Sequence, residues 1–115
     1  MSPDISAVYR RAAEVLTERG WCQDDTEDES GRLCAIGAIR VADGSPADGG
    51  DDQDRDDELL RPLHHHVGLI SAWNDTPGRT VAEVVDALMS VAIQIDLVPL
   101  MAPQTRYFTE MEMTR

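Results

Sequence analysis

Residues 80–95 read TVAEVVDALMSVAIQI, and this stretch predicts the fold more directly than any other part of the chain. Thr80 and Glu83 have the spacing of a capping box, in which each residue satisfies a free amide group at the start of a helix. Apolar residues then recur every three or four positions, which is the period of a helix with one buried face. They are Val81, Val84, Val85, Leu88, Met89, Ala92 and Ile95. Pro99 is expected to end this helix.

The same periodicity predicts two helices near the start of the chain. Residues 5–19 carry an apolar stripe, and Gly20 is expected to end that helix. Residues 32–43 form a shorter helix, in which Arg40 is expected to face solvent. Cys34 and Gly37 lie on its small-residue face, where a glycine would allow another helix to approach closely.

A third helix over about residues 57–67 and one more helical turn at 69–75 complete the expected set. The sequence therefore predicts an all-α fold, a small bundle of four to five helices. A single helical domain over residues 1–98 is expected, because a chain of 115 residues has the length of one domain.

The acidic residues are concentrated in one part of the chain. The net charge is −12, and residues 24–58 contain 13 of the 22 acidic residues but only three arginines. This balance argues against nucleic acid or an anionic membrane as a direct partner. Residues 44–57, GSPADGGDDQDRDD, include no large apolar side chain and are expected to form a disordered, mobile acidic loop.

The two ends of the chain suggest where the protein resides and how it associates. The N-terminal residues MSPDISAVYRR lack the apolar run of a signal peptide, so a cytoplasmic location is expected. No apolar stretch approaches the roughly 18 residues of a membrane helix. The tail, residues 99–115, is apolar for a free end. It is expected to dock on the domain or to join two copies in a homodimer.

The residue types of a cysteine hydrolase occur in the chain. Cys22, the histidines at 64–66 and Asn74 follow one another in an order that some hydrolases use for nucleophile, base and orienting amide. However, Cys22 follows a helix C-terminus, whose negative dipole end raises a thiol pKa. A partly buried structural thiol is the favoured interpretation, and no catalytic residue is assigned.

Parts of the sequence resemble two kinds of metal site. Cys22, Cys34 and a histidine could supply three zinc ligands, but the two cysteines lack the close spacing of structural zinc sites. The alternating acids at 52–56 resemble the start of a calcium-binding loop, yet its sixth position is Asp57 rather than glycine. Neither a metal nor a cofactor is therefore expected.

Two polar corners remain as candidate binding elements. One follows the first helix at Trp21, and the other lies between Trp73 and Arg79, where Arg79 could pair with Asp75. For the second corner, a self-capped turn with its tryptophan in the core is the favoured interpretation, and a small polar recognition pocket beside Trp73 is the alternative. The candidate binding residues are Trp21, Gln23, Trp73, Asn74, Asp75 and Arg79. The residues assigned to the structural motif are Gly20, Cys34, Gly37, Thr80 and Glu83.

Three ordered elements, GWxQ at 20–23, CxxGA at 34–38 and WND…GRTxxEV at 73–84, resemble a domain-of-unknown-function family of small helical proteins. The family occurs in high-GC Gram-positive bacteria and their phages. The resemblance covers about residues 5–92, apart from the acidic loop. It implies a cytoplasmic helical domain with no established activity. The matching residues are Gly20, Trp21, Gln23, Cys34, Gly37, Ala38, Trp73, Asn74, Asp75, Arg79, Thr80 and Glu83.

The leading hypothesis for function is a non-enzymatic protein-binding or regulatory module, encoded by a phage or an accessory element. It would contact an unidentified protein partner through the two polar corners, provided that they meet in space. Two alternatives stay open. One is a small cysteine- or metal-dependent hydrolase, and the other is an acidic nucleic-acid mimic that inhibits a DNA- or RNA-binding protein.

Overall fold

The computed structural model describes the backbone of residues 4–111 and the side chains of residues 4–97. Its five helices are α1 (Ile5–Arg19), α2 (Ala35–Ala42), α3 (Gln53–Val67), α4 (Ile70–Asn74) and α5 (Val81–Met111). Over the described residues the only β pairing consists of two isolated bridges to Leu33. The predicted all-α bundle is confirmed.

The core forms mainly between α1 and α5, which make the most extensive helix pair. Arg10 pairs with Asp96 near the start of α1, whereas Thr17 lies beside Val85 toward its end, so the two helices run antiparallel. Their buried faces follow the predicted period with two differences: Val81, expected on the buried face of α5, is 41% exposed, and Val91, not expected there, is buried. Helices α2 and α3 add to this core. The core includes Val8, Tyr9, Ala12, Leu16, Leu33, Ala38, Ile39, Leu59, Leu63, Val84, Leu88 and Val91.

The predicted end of the first helix and the predicted start of the last helix are confirmed. The Gly20 amide donates to Leu16 O at 2.8 Å and closes α1, with Gly20 at a φ of 96° that favours glycine. The capping box of α5 is complete: Thr80 N donates to Glu83 Oε1 at 3.0 Å, and Glu83 N donates to Thr80 Oγ1 at 3.2 Å. The prediction that Pro99 ends this helix is wrong, since the backbone of α5 continues past Pro99 to Met111. The expected docking or dimerisation of 99–115 depends on side chains outside the described residues.

Helix α3 begins at Gln53, so residues 53–57 of the expected loop are helical instead. Two ion pairs explain this start. Arg40 of α2 donates to both carboxylate oxygens of Asp56, at 2.8 and 2.9 Å, and Arg55 donates to both oxygens of Asp43, at 3.1 and 2.6 Å. The prediction that Arg40 faces solvent is therefore wrong, since its side chain is only 16% exposed. The hydrogen bond from Arg40 lowers the pKa of Asp56.

The remaining part of the acidic segment, residues 44–52, lies between these ion pairs. Ala47 is buried there, and its carbonyl accepts a hydrogen bond from Arg40 Nη1 at 3.2 Å. Asp52 caps α3 by accepting from Arg55 N at 3.0 Å. The mobility of residues 44–52 stays a prediction, but both ends of the segment are held by named contacts.

A buried tyrosine explains how α3 accommodates a proline in its interior. Pro62 has no amide hydrogen and so removes one backbone bond from the helix. Tyr9 Oη, fully buried, donates to Leu59 O at 2.6 Å and accepts from Leu63 N at 3.1 Å. Those two backbone groups would pair with each other in an uninterrupted helix. The α1 hydroxyl thus inserts into α3 next to the proline, and burial raises the pKa of that hydroxyl.

None of the five described helices combines the length and the apolar character that a bilayer-spanning segment requires.

Removal of the Tyr9 hydroxyl should destabilise the fold. Tyr9→Phe leaves a buried donor and a buried acceptor without this partner, so the free energy of unfolding should fall by about 2 kcal/mol. Thr17→Val is the matched control, because it removes an exposed hydroxyl from the same helix and should change stability by less than about 0.5 kcal/mol. Denaturant unfolding measures both. Equal stability of the two variants would contradict the bridging role of the hydroxyl.

Candidate functional site

The chain between α1 and α2 folds into a compact turn rather than an open connection. Leu33 N donates to Gly20 O, and Cys22 N donates to Leu33 O, both at 3.0 Å, so the two ends of the loop pair in parallel. Asp28 holds the turn by accepting from Ser30 N and from the amide and Nε of Arg32. Desolvation alone would raise the pKa of Asp28, but these hydrogen bonds from Arg32 and Ser30 lower it.

The two polar corners that the sequence singles out do meet, and Asn74 joins them. Asn74 is only 1% exposed. Its Oδ1 accepts from Trp21 Nε1 at 2.8 Å and from Ala35 N at 3.0 Å. Its Nδ2 donates to Cys22 O at 3.2 Å and to Asp75 Oδ1 at 2.9 Å. An amide group offers two donor and two acceptor positions, and all four are used here.

Gln23 and Asp24 extend the same junction toward the surface. Gln23 Nε2 donates to the carbonyls of Asn74 and Thr76, at 3.1 and 3.0 Å. Asp24 N donates to Asp75 Oδ1 at 2.9 Å, and Asp24 has a φ of 72°, which is uncommon for a residue other than glycine. The loop after α1 is therefore fixed to the α4–α5 corner by both side-chain and backbone groups.

Arg79 fixes the other side of this corner, although not through the expected partner. The prediction that it pairs with Asp75 is wrong. Arg79 Nε donates to Trp73 O at 3.0 Å, Nη1 lies 3.4 Å from Glu83 Oε1, and the guanidinium stacks 4.6 Å from the centre of the Trp73 ring. Arg79 and Glu83 are four residues apart across the start of α5, a separation at which helical side chains meet.

Cys34 and Gly37 serve the framework, but in a different way from the expected one. Cys34 is the N-cap of α2, and its Sγ accepts from Gly37 N at 3.4 Å. A β-carbon on Gly37 would overlap the backbone carbonyl oxygen of Thr26. The close approach at Gly37 is thus to the loop between α1 and α2 and not to a second helix.

The geometry around the cysteines does not resemble an activated thiol. Cys22 Sγ donates to the carbonyls of Asp25 and Arg32, at 3.4 and 3.3 Å. Burial, together with the negative charge of Asp28, raises the pKa of Cys22 to about 11, and burial also raises the pKa of Cys34. The three histidines lie exposed on α3. Within the described side chains, no cluster of three histidine, cysteine or acidic residues is placed to hold a metal ion.

An acidic cleft opens beside the junction. It holds about 150 Å³ and is lined in part by Asp24, Asp25, Asp75 and Asn74. Among the described residues that line it, none is basic. Ile36 and Ser71 line both this cleft and a larger apolar groove of about 550 Å³ between α3 and α4.

The sequence did not predict this groove. Its apolar lining comes from Ile36, Leu60, Leu69 and Ile70, and Asp57, Arg61 and His64 lie along its rim. Leu69 is 71% exposed, more than any other large apolar side chain among the described residues. The exposure of Leu69 could have been predicted from its position. Leu69 directly follows Gly68, which ends α3, and it lies on the buried face of neither neighbouring helix.

The protein is a small all-α domain in which the buried side chain of Asn74 joins three segments. The chain belongs to a family of unknown function, DUF6197, whose model matches residues 1–94. This range includes every residue of the polar junction described above. A search of curated proteins and a search of solved structures found no match.

Replacement of the central amide should destabilise the domain strongly. Asn74→Asp would place a carboxylate oxygen against Cys22 O and Asp75 Oδ1, so the free energy of unfolding at neutral pH should fall by about 3 kcal/mol or more. Gln94→Glu makes the same amide-to-acid change at an exposed position of α5 and should change stability by less than about 0.5 kcal/mol. Denaturant titration compares them. An Asn74→Asp protein as stable as Gln94→Glu would show that the junction carries little energy.

The thiol of Cys22 should react slowly in the folded protein. A thiol with a pKa of about 11 is only about 0.1% thiolate at pH 8. In a Cys34→Ser background, we expect Ellman's reagent to modify Cys22 about 100-fold more slowly than the same protein in guanidinium, with a rate that rises toward pH 11. Rapid modification of the folded protein at pH 8 would contradict the raised pKa of Cys22 and would support the cysteine hydrolase function.

Proposed function

We propose that the protein is a non-enzymatic protein-binding or regulatory module that acts in the cytoplasm. One observation carries the proposal: Leu69, 71% exposed, lines an open apolar groove that shares Ile36 and Ser71 with the neighbouring acidic cleft. An exposed large apolar side chain beside a groove is typical of a surface that a partner covers. The mixed charges of Asp57, Arg61 and His64 resemble the polar rim of a protein interface.

The chemistry of the two neighbouring hollows specifies the partner. The α3–α4 groove accepts apolar side chains, and the three aspartates of the cleft favour a cation at one end of it. A partner segment that carries apolar residues followed by an arginine or lysine matches both features. The acidic charge of the whole chain would also speed the approach of such a segment.

The buried junction contributes rigidity to this surface. Asn74 and Asp75 line the cleft while they hold the loop after α1 in place, so the cleft is already formed before a partner arrives. A preformed surface loses less conformational entropy on binding. Trp21, Gln23, Trp73 and Arg79 support the surface from behind, and their proposed role is positional rather than direct contact.

The other two functions receive less support from the geometry. A cysteine hydrolase requires a thiolate, and the neutral, buried thiol of Cys22 donates to backbone carbonyls instead. A nucleic-acid mimic requires unpaired carboxylates, yet Asp43 and Asp56 of the acidic segment are neutralised by arginines. The proposed origin from a phage or accessory element depends on the resemblance alone.

Selection of peptides on the protein tests the proposal without a known partner. A displayed library of random peptides, panned on the full chain, should yield sequences that combine apolar residues with an arginine or lysine. Their affinity, measured by fluorescence polarisation, should fall at least about 10-fold for Leu69→Glu and for Asp25→Lys. Leu97→Glu changes an exposed leucine on α5 and should leave the affinity unchanged. Peptides that bind Leu69→Glu equally well, or no selected peptide at all, would refute the proposal.

A further inference from the structure

An apolar ridge runs along α5 from half-buried to exposed positions. Val85, Met89, Ile93 and Leu97 follow one another at four-residue spacing, so their side chains form one row along the helix. The row becomes more exposed toward its C-terminal end: Val85 and Met89 are half-buried, whereas Ile93 and Leu97 are 50% and 45% exposed. The last two residues form a protruding apolar pair.

The other end of the same ridge lies in a hollow. A groove of about 420 Å³ runs between α1 and α5, and its apolar lining is Ala13, Val85 and Met89. Its rim is polar and includes Arg10 and Glu14. A protrusion and a hollow therefore lie on one strip of α5, about two helical turns apart.

This arrangement fits a second copy of the same strip. In a two-fold symmetric pair, each helix presents the same patch, and residue i of one copy meets residue j of the other and vice versa. Two antiparallel α5 helices centred near Val91 would place Ile93 and Leu97 of each copy against the hollow at Val85 and Met89 of the other. A knob and its matching hole on one strip favour self-association over an unrelated partner.

The charge distribution points the same way. Two chains of net charge −12 repel each other, and most of that charge lies between residues 24 and 58. Residues 85–97, which span the ridge, contain two charged residues, Asp86 and Asp96, and Asp96 pairs with Arg10. The ridge thus lies outside the most acidic part of the chain, whereas a basic partner would be drawn to the acidic cleft.

We propose that the ridge Val85, Met89, Ile93 and Leu97 is a homodimer interface in which two α5 helices pack antiparallel about a two-fold axis. The proposal is independent of the α3–α4 groove. It assigns the self-association of this chain to described residues of α5.

The oligomeric state of the full chain tests the proposal. Sedimentation velocity over an about 100-fold range of concentration should give the mass of a dimer for the wild type at the upper end. Ile93→Glu and Leu97→Glu place a charge in the apolar contact and should raise the dimer dissociation constant at least about 100-fold. Leu69→Glu is the matched control, since it makes the same kind of change at an exposed leucine just before α4, and it should remain dimeric. A monomeric wild type, or Glu variants that dimerise as well as Leu69→Glu, would overturn the proposal.

A cross-linking measurement covers the case in which the Glu variants fold poorly. With the two α5 helices centred near Val91, the two copies of Ile93→Cys lie about 10 Å apart, so a bis-maleimide cross-linker of about that length should join them into a covalent dimer. Leu69→Cys should stay monomeric on a non-reducing gel under the same conditions. Equal cross-linking of the two variants would count against an α5 interface. Leu97→Glu is the control in the peptide-binding experiment, and Leu69→Glu is the control in the sedimentation experiment. The two experiments therefore test the dimer interface and the peptide-binding groove separately.

Discussion

The side-chain amide of Asn74 is the contact on which the arrangement of the whole domain depends. It joins the loop after α1, the first residue of α2 and the corner before α5, three segments that are far apart in the sequence. All four of its hydrogen-bonding positions are used in a site with almost no access to solvent. Loss of one partner therefore leaves a buried polar group unpaired, at a cost of about 1–3 kcal/mol, which is a large share of the stability of a small domain.

Helix α3 also depends on polar contacts from distant segments. It contains Pro62 and begins with acidic residues, and its own sequence provides only a short apolar face. Contacts from other helices compensate for this. Tyr9 satisfies the backbone next to the proline, and the two arginine–aspartate pairs fix its first turn to the end of α2. Polar groups from distant segments, more than helix propensity, determine where α3 lies.

The sequence predicted what depends on local chemistry. The capping box at Thr80 and Glu83, the glycine stop at Gly20 and the buried stripes of α1 and α5 follow from helix geometry alone, and the structure confirms them. Helix α3 was predicted to start too late, because the stabilising partner of Asp56 is Arg40, sixteen residues away. A pattern within one helix carries no information about such a partner.

The candidate site was also predicted only in part from the sequence. Its residues could be named from the sequence, since Trp21, Gln23 and Asn74 stand out as polar or aromatic groups at helix ends. Their roles could not, because the fit of Gly37 against Thr26 O and the stacking of Arg79 on Trp73 exist only once the segments are assembled. The groove around Leu69 was missed for this reason: its lining residues come from three helices.

The crossed pairs Arg40–Asp56 and Arg55–Asp43 have a practical consequence. They clamp the chain on both sides of residues 44–52, so the path of the segment between them does not set the positions of α2 and α3. Lengthening a flexible loop costs little, about 0.6 kcal/mol for each doubling. The exposed stretch at Gly50 and Asp51 is therefore a natural point at which to insert a reporter domain or an affinity tag without disturbing the rest of the protein.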